Sequence, residues 1–218
     1  MAILEAQNIN YVADGNQILF DCNFSLNKKE IVTISGHSGS GKSTFVKILA
    51  SLLTQTSGKI YFEDENILDL SPIEYRRQVS YAVQQPTLFG ETVYDNLVFP
   101  YDIRKQKFDR HHVIKALKTV DLKESDLDKP ITSLSGGQKQ RVALLRNLIF
   151  VPKILILDEV TTGLDCDTKA SVHKMIDYYM GNYDLSVLMI THDNEELKHA
   201  KKVVYIEDGR IKEGTENE

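Results

Sequence analysis

The sequence predicts an α/β protein, and three observations carry that expectation. Short β-rich runs alternate with helical patterns along most of its 218 residues. Gly36-His37-Ser38-Gly39-Ser40-Gly41-Lys42-Ser43 has the spacing GxxxxGK[ST] and falls between a strand-like and a helix-like segment. Further on, Ile154-Leu155-Ile156-Leu157 runs directly into Asp158-Glu159, placing two carboxylates at the end of an apolar strand.

In chain order, strands are expected over residues 30–35, 59–62, 79–83, 154–157, 187–190 and 203–206, all β-branched or aromatic in character. A helix is expected over 42–53, because Phe45, Ile48, Leu49 and Leu52 fall at i, i+3, i+4 and i+7. Residues 90–130 lack a buried strand and place Asp109 before Val113, Ile114, Leu117 and Val120 at helical spacing, which predicts a small helical insertion. After a turn at Asp208-Gly209 the chain ends in a charged tail, 213–218.

With 42% hydrophobic and 26% charged residues the chain can bury a core, which excludes a disordered or low-complexity protein. One domain is expected over 1–218, with an α/β core in 1–89 and 131–218 and a helical part from 90 to about 150. Lys and Arg total 26 against 31 Asp and Glu, and that net charge of −5 argues against nucleic acid as a partner. No apolar run approaches the ~18 residues of a membrane helix. Met1-Ala2-Ile3-Leu4-Glu5 has no basic then apolar signal pattern, so a cytoplasmic location is expected. Cys22 and Cys166 have neither CxxC nor metal-ligand spacing and are expected as free thiols.

The glycine-rich segment has a direct chemical reading. Glycines let the backbone curl so that successive N–H groups and a helix N-terminus face a phosphate, Lys42 adds a point charge, and the Ser43 hydroxyl suits Mg²⁺. Gly36, His37, Ser38, Gly39, Ser40, Gly41, Lys42, Ser43 and Thr44 are therefore the expected nucleotide-binding loop. Asp158 is the natural Mg²⁺ partner at the C-terminal end of its strand, and Glu159 is free to polarise an attacking water. His111 and His112 are neighbours that point apart on a helix, and His37, His173 and His199 lack chelating company, so no histidine metal site is expected.

Leu134-Ser135-Gly136-Gly137-Gln138, followed by Lys139-Gln140-Arg141, resembles the signature motif of ABC ATPases. Ser135 and Gln138 also form an S-x-x-Q capping box ahead of Val142, Leu145 and Ile149, and a capped, glycine-rich helix start exposes N–H groups to an anion. The resemblance implies a P-loop NTPase fold with a RecA-like core sheet and a helical subdomain, ATP and Mg²⁺ as cofactors, ATP hydrolysis, and an ATP-dependent homodimer. In that dimer Ser135, Gly136, Gly137 and Gln138 of one copy would meet the nucleotide held by the other. It further implies Tyr11, 25 residues before Gly36, on adenine, and Gln84 as a sensor of Mg²⁺ and water. Thr162-Gly163-Leu164-Asp165 would be a dimer-contacting loop, and His192 the histidine near the γ-phosphate. Val160 stands where many members have proline, which should change loop stiffness and leave the chemistry.

The chain holds only an ATPase half, so a transporter would need a separate multi-pass membrane permease, with this subunit peripheral on the inner face of the cell membrane. Residues 85–104, including Pro86-Thr87-Leu88-Phe89-Gly90 and Tyr94-Asp95-Asn96-Leu97-Val98-Phe99-Pro100, resemble the FetA/YbbL subgroup linked to iron or metal efflux. Phe89, Tyr94, Leu97 and Phe99 would anchor a helix of that permease. The competing class is a soluble ABC ATPase acting in assembly, for example of iron–sulfur clusters. Genome-maintenance relatives need a long coiled-coil insertion, and the roughly 90 residues between Ser43 and Ser135 leave no space for one.

Overall fold

The computed structural model describes residues 1–213; the rest of the charged tail, 214–218, lies outside the described residues. In chain order the elements are β1 (Ala2–Ala13), β2 (Asn16–Asn27), β3 (Ile31–Ser35), α1 (Lys42–Leu49), β4 (Ser57–Phe62), β5 (Glu65–Asn66), α2 (Pro72–Gln78) and β6 (Val79–Ala82). There follow α3 (Val93–Asp102), α4 (Arg110–Lys118), α5 (Gly136–Leu148), β7 (Ile154–Asp158), α6 (Cys166–Asn182), β8 (Ser186–Ile190), α7 (Asn194–His199), β9 (Val203–Glu207) and β10 (Arg210–Glu213). They fall into two compact units, one of Met1–Tyr81, Lys153–Glu159 and the chain from Asp184 onward, the other of Ala82–Pro152 and Val160–Tyr183.

The first unit is built on two sheets. One has the order β10-β9-β3-β8-β7-β6, with β9, β3, β8 and β7 parallel and β10 antiparallel at the edge. Its register determines where the chemistry emerges: Ile34 pairs with Ile190, and Ile190 pairs with Asp158. The chain therefore leaves β3, β8 and β7 at one end of the sheet, the end where open α/β sheets bind ligands.

The other sheet, β2-β1-β4-β5, is antiparallel and corrects the sequence reading, which placed 59–62 in a single α/β sheet and left β1 and β2 out. Asp14 (φ +50°) and Gly15 (φ +77°) make the two-residue turn between β1 and β2, a left-handed pair whose twist suits a hairpin. Phe24 packs edge-on against Phe45, and Phe62 against Tyr75, whose hydroxyl donates to the Leu49 carbonyl at 2.6 Å.

The helix expected over 42–53 stops at Leu49. Ser51 adopts φ +56°, and the Leu52 and Ser51 amides donate back to the Lys47 and Ile48 carbonyls, a Schellman end that turns Leu52 out to solvent.

In the second unit, side-chain caps start the helices. Thr92 and Asp95 form a capping box on α3, Asp109 accepts from the His112 amide on α4, and Ser135 and Gln138 form the box on α5. Asn96, fully buried on α3, donates to the carbonyls of Phe89 and Thr92 and accepts from the Phe89 amide and from Arg146 of α5. No helix among the described residues is long and apolar enough to cross a membrane.

Candidate active site

Backbone geometry shapes the loop between β3 and α1. Gly36 has φ +139°, and a Cβ there would lie 2.1 Å from the Ile206 carbonyl oxygen. Gly41, at φ +101°, is the N-cap of α1, and a Cβ there would press on Leu19 Cδ2 at 2.9 Å. Both positions need glycine because β9 and β2 back directly onto the loop. The Gly209 amide completes this support by donating to the Ser40 carbonyl at 3.1 Å.

Lys42 is buried at the head of α1, and its ammonium donates to the carbonyls of Gly36 (2.9 Å) and His37 (2.8 Å). Burial holds its pKa below the usual lysine value, opposed by the nearby charges of Glu159 and Asp158. The Ser40 hydroxyl is buried with no hydrogen-bond partner. An orphaned hydroxyl, a cradle that excludes Cβ atoms and a lysine on the loop carbonyls all fit a phosphate group. Ser38 and Gly39 at the loop tip are exposed, and Thr44 follows Ser43 on the first turn of α1.

From β7, Asp158 presents a carboxylate that is 7% exposed, with Oδ1 accepting from Ser43 Oγ at 3.1 Å and Oδ2 accepting from Tyr81 of β6 at 2.5 Å. This all-oxygen donor set fits a hard divalent cation. Burial first, then the bond to Asp158, pushes the Tyr81 phenol well above its usual pKa, so it stays a donor. Tyr81 is absent from the sequence reading. The only available signal was a tyrosine in a strand expected in the core sheet, whose hydroxyl needs a partner.

Glu159 follows in a left-handed conformation, φ +53°, with its amide on the Ile190 carbonyl at 3.2 Å. That turn aims the carboxylate at His192, whose Nε2 lies 2.9 Å from Glu159 Oε1. His192 is set by the turn after β8, where the Asp193 side chain caps α7 and the Asp193 amide donates to Thr191 Oγ1 at 3.0 Å. The structure thus brings together Gly36 to Ser43, Asp158, Glu159 and His192, all in the first unit. Tyr11 of β1 is half-buried opposite Leu19 and packs against the core.

The remaining expected residues lie in the second unit. Gln84 is exposed just beyond β6. Gly136 has open space around it, whereas a Cβ on Gly137 would meet Thr168 Oγ1 at 2.7 Å. Thr168 in turn donates from amide and hydroxyl to Asp165, the N-cap of α6, so signature helix and Thr162–Asp165 loop meet at one threonine that the sequence reading overlooked. Of the four anchors expected for a partner helix, Phe89 and Phe99 are exposed and stack edge-on at 4.9 Å. Leu97 is fully buried and Tyr94 is half-buried against Phe108, so neither fits that role; α3 turns that side to α5. His112 is occupied by Tyr101 at 2.8 Å, and Cys22 (buried) and Cys166 (exposed) are free thiols.

Comparison with known proteins agrees with this geometry. Residues 19–162 match the family model described as ABC transporter. The chain is 48% identical to "Probable iron export ATP-binding protein FetA" of Escherichia coli K12, over 94% of this chain and 91% of that protein. It is 36% identical to the energy-coupling factor transporter ATP-binding protein EcfA2 of Acetivibrio thermocellus, over 88% of this chain and 70% of the relative. Among solved structures, CbiO1 of Clostridium perfringens, described as part of the ABC transporter complex CbiONQ, superposes with a TM-score of 0.86 at 31% identity, covering 97% of this chain and 87% of that one.

Proposed function

The chain belongs to the ABC transporter family as an ATP-binding, ATP-hydrolysing subunit, and we propose that two copies of it clamp two ATP to drive a separate multi-pass membrane permease. The observation that carries this reading is the convergence at the C-terminal end of β3, β7 and β8 of the Lys42 loop, the Ser43–Asp158 contact at 3.1 Å and the Glu159–His192 contact at 2.9 Å.

In this account the two units are the core and helical parts of one ATPase domain spanning 1–218. Lys42 exchanges the Gly36 and His37 carbonyls for the β- and γ-phosphates, and the amides of the loop from Gly36 to Thr44 cradle them. Tyr11 stacks on adenine. Ser43 and Asp158, joined by Gln84, would hold Mg²⁺, which when bound neutralises charge on the phosphates. Ser135, Gly136, Gly137 and Gln138 of the second copy close over the γ-phosphate, and Asp165 contacts the opposing copy. Glu159 accepts a proton from the water it orients for in-line attack, while His192 and Lys42 stabilise the developing charge. Hydrolysis removes the ligand that favours the closed pair, so the clamp reopens and moves the permease.

The subunit would sit peripherally on the inner face of the cell membrane, with Phe89 and Phe99 meeting the permease. The cargo proposed is iron or another metal, moved outward, as the name of the Escherichia coli relative suggests. The test is Mg²⁺-dependent phosphate release by the purified protein, together with mild-detergent co-purification from native membranes. Activity lost in Lys42→Ala and a stoichiometric multi-pass membrane protein support the reading; a soluble assembly complex in its place overturns the transporter part.

A further inference from the structure

We propose that the loop after α3 and the exposed face of α4 form a docking surface for the anionic phospholipid headgroups of a bilayer. Between Ile103 and Thr119 the chain carries Arg104, Lys105, Lys107, Arg110, Lys115 and Lys118 against one carboxylate, Asp109, in a protein whose net charge is −5. Carboxylates resume only at Asp102 and Asp121 on either side.

The two arginines are engaged locally. The Arg104 guanidinium lies over Phe150, 4.5 Å from the ring centre, and Arg110 pairs with Glu124 at 2.8 Å. The four lysines are exposed, and among the described residues none of them has a carboxylate partner. On α4, His111, Lys115 and Lys118 fall at i, i+4 and i+7, opposite the buried Val113, Ala116 and Leu117. Ile103, 47% exposed, opens the same loop and adds an apolar edge.

Such segregation makes a local positive field on an otherwise acidic protein, reaching about one Debye length, ~8 Å at physiological salt. Lysines are point charges on flexible stems with no fixed fork, which suits a fluid array of headgroups better than a single oriented ligand. An apolar side chain beside them adds the shallow insertion that interfacial contacts use. The surface lies entirely in the second unit.

The experiment is flotation of the purified full chain with vesicles free of any membrane protein, made of phosphatidylcholine alone or mixed with phosphatidylglycerol, at low and high salt. Binding is expected only to the anionic vesicles, falling about fivefold for each of Lys105, Lys107, Lys115 and Lys118 changed to Gln, and disappearing at high salt. The equal charge change at Lys59, Lys174, Lys198 and Lys201 should bind as the parent does. Equal binding to neutral vesicles, no binding to anionic ones, or the same loss in the control set overturns the proposal. ATP hydrolysis by the same preparations reports separately on folding and on the proposed function.

Discussion

The Tyr81 hydroxyl donates to Asp158 Oδ2 at 2.5 Å, while Ser43 holds the other oxygen of the same carboxylate at 3.1 Å. Two donors, from β6 and α1, thus fix the acid at the end of β7, one on each oxygen. A buried carboxylate with one donor removed would be free to rotate and less well solvated by the protein.

Tyr81→Phe is therefore expected to cost about 1.5 kcal/mol of stability, the range for a hydrogen bond to a charged group. It should also lower Mg²⁺-dependent turnover, by less than removal of Glu159 does. Urea denaturation and a steady-state ATPase assay measure the two effects; unchanged values in both would show the contact to be incidental.

Alkaline pH should destabilise the fold through its buried tyrosines. Burial raises Tyr101 to about 12 and Tyr179 to about 12, against ~10 in an unfolded chain. Above ~10 the unfolded state loses protons that the folded state keeps, so the stabilisation is whole below that pH and is lost as pH climbs through the folded values. Thermal melts across this range should fall with pH, and Tyr179→Phe should flatten the fall. A variant as steep as the parent contradicts the assignment.

Asn96→Ala should be among the most destabilising single changes in the second unit. It strips partners from the Phe89 amide and carbonyl, the Thr92 carbonyl and the Arg146 guanidinium at once. About 3 kcal/mol is expected. A denaturation midpoint moved by less than a third of that would mean water replaces the amide.

Glu159→Gln keeps the shape of the side chain and removes the base. Turnover should drop on the order of 10²–10⁴-fold with nucleotide affinity retained. Near-normal hydrolysis in that variant would remove Glu159 from the mechanism.

Much of this was legible in the sequence because the chemistry sits where the pattern changes. The Gly36 to Ser43 loop and the run into Asp158-Glu159 are short-range signals, each readable from one strand and its end. The β1–β2 hairpin was equally local, since Asp14-Gly15 is a turn dipeptide between two alternating runs, yet β1 is bulged between Ala6 and Val12 and the alternation blurs there. Leu97 illustrates the opposite limit. An apolar residue beside exposed Phe99 reads as a surface anchor, and only the packing of α3 on α5 reveals that its side chain is internal. Tyr81 with Asp158 and Thr168 with Gly137 join positions distant in the chain, and no spacing rule could pair them.

Joining of two copies by nucleotide through Ser135 and its glycines is checked by the mass in solution of Glu159→Gln with and without MgATP, by light scattering after gel filtration. A dimer carrying two ATP is expected only when MgATP is present, and a monomer that still binds ATP when Ser135→Arg is added. A monomer at saturating MgATP in Glu159→Gln, or a Ser135→Arg variant that still dimerises, would rule out pairing through Ser135.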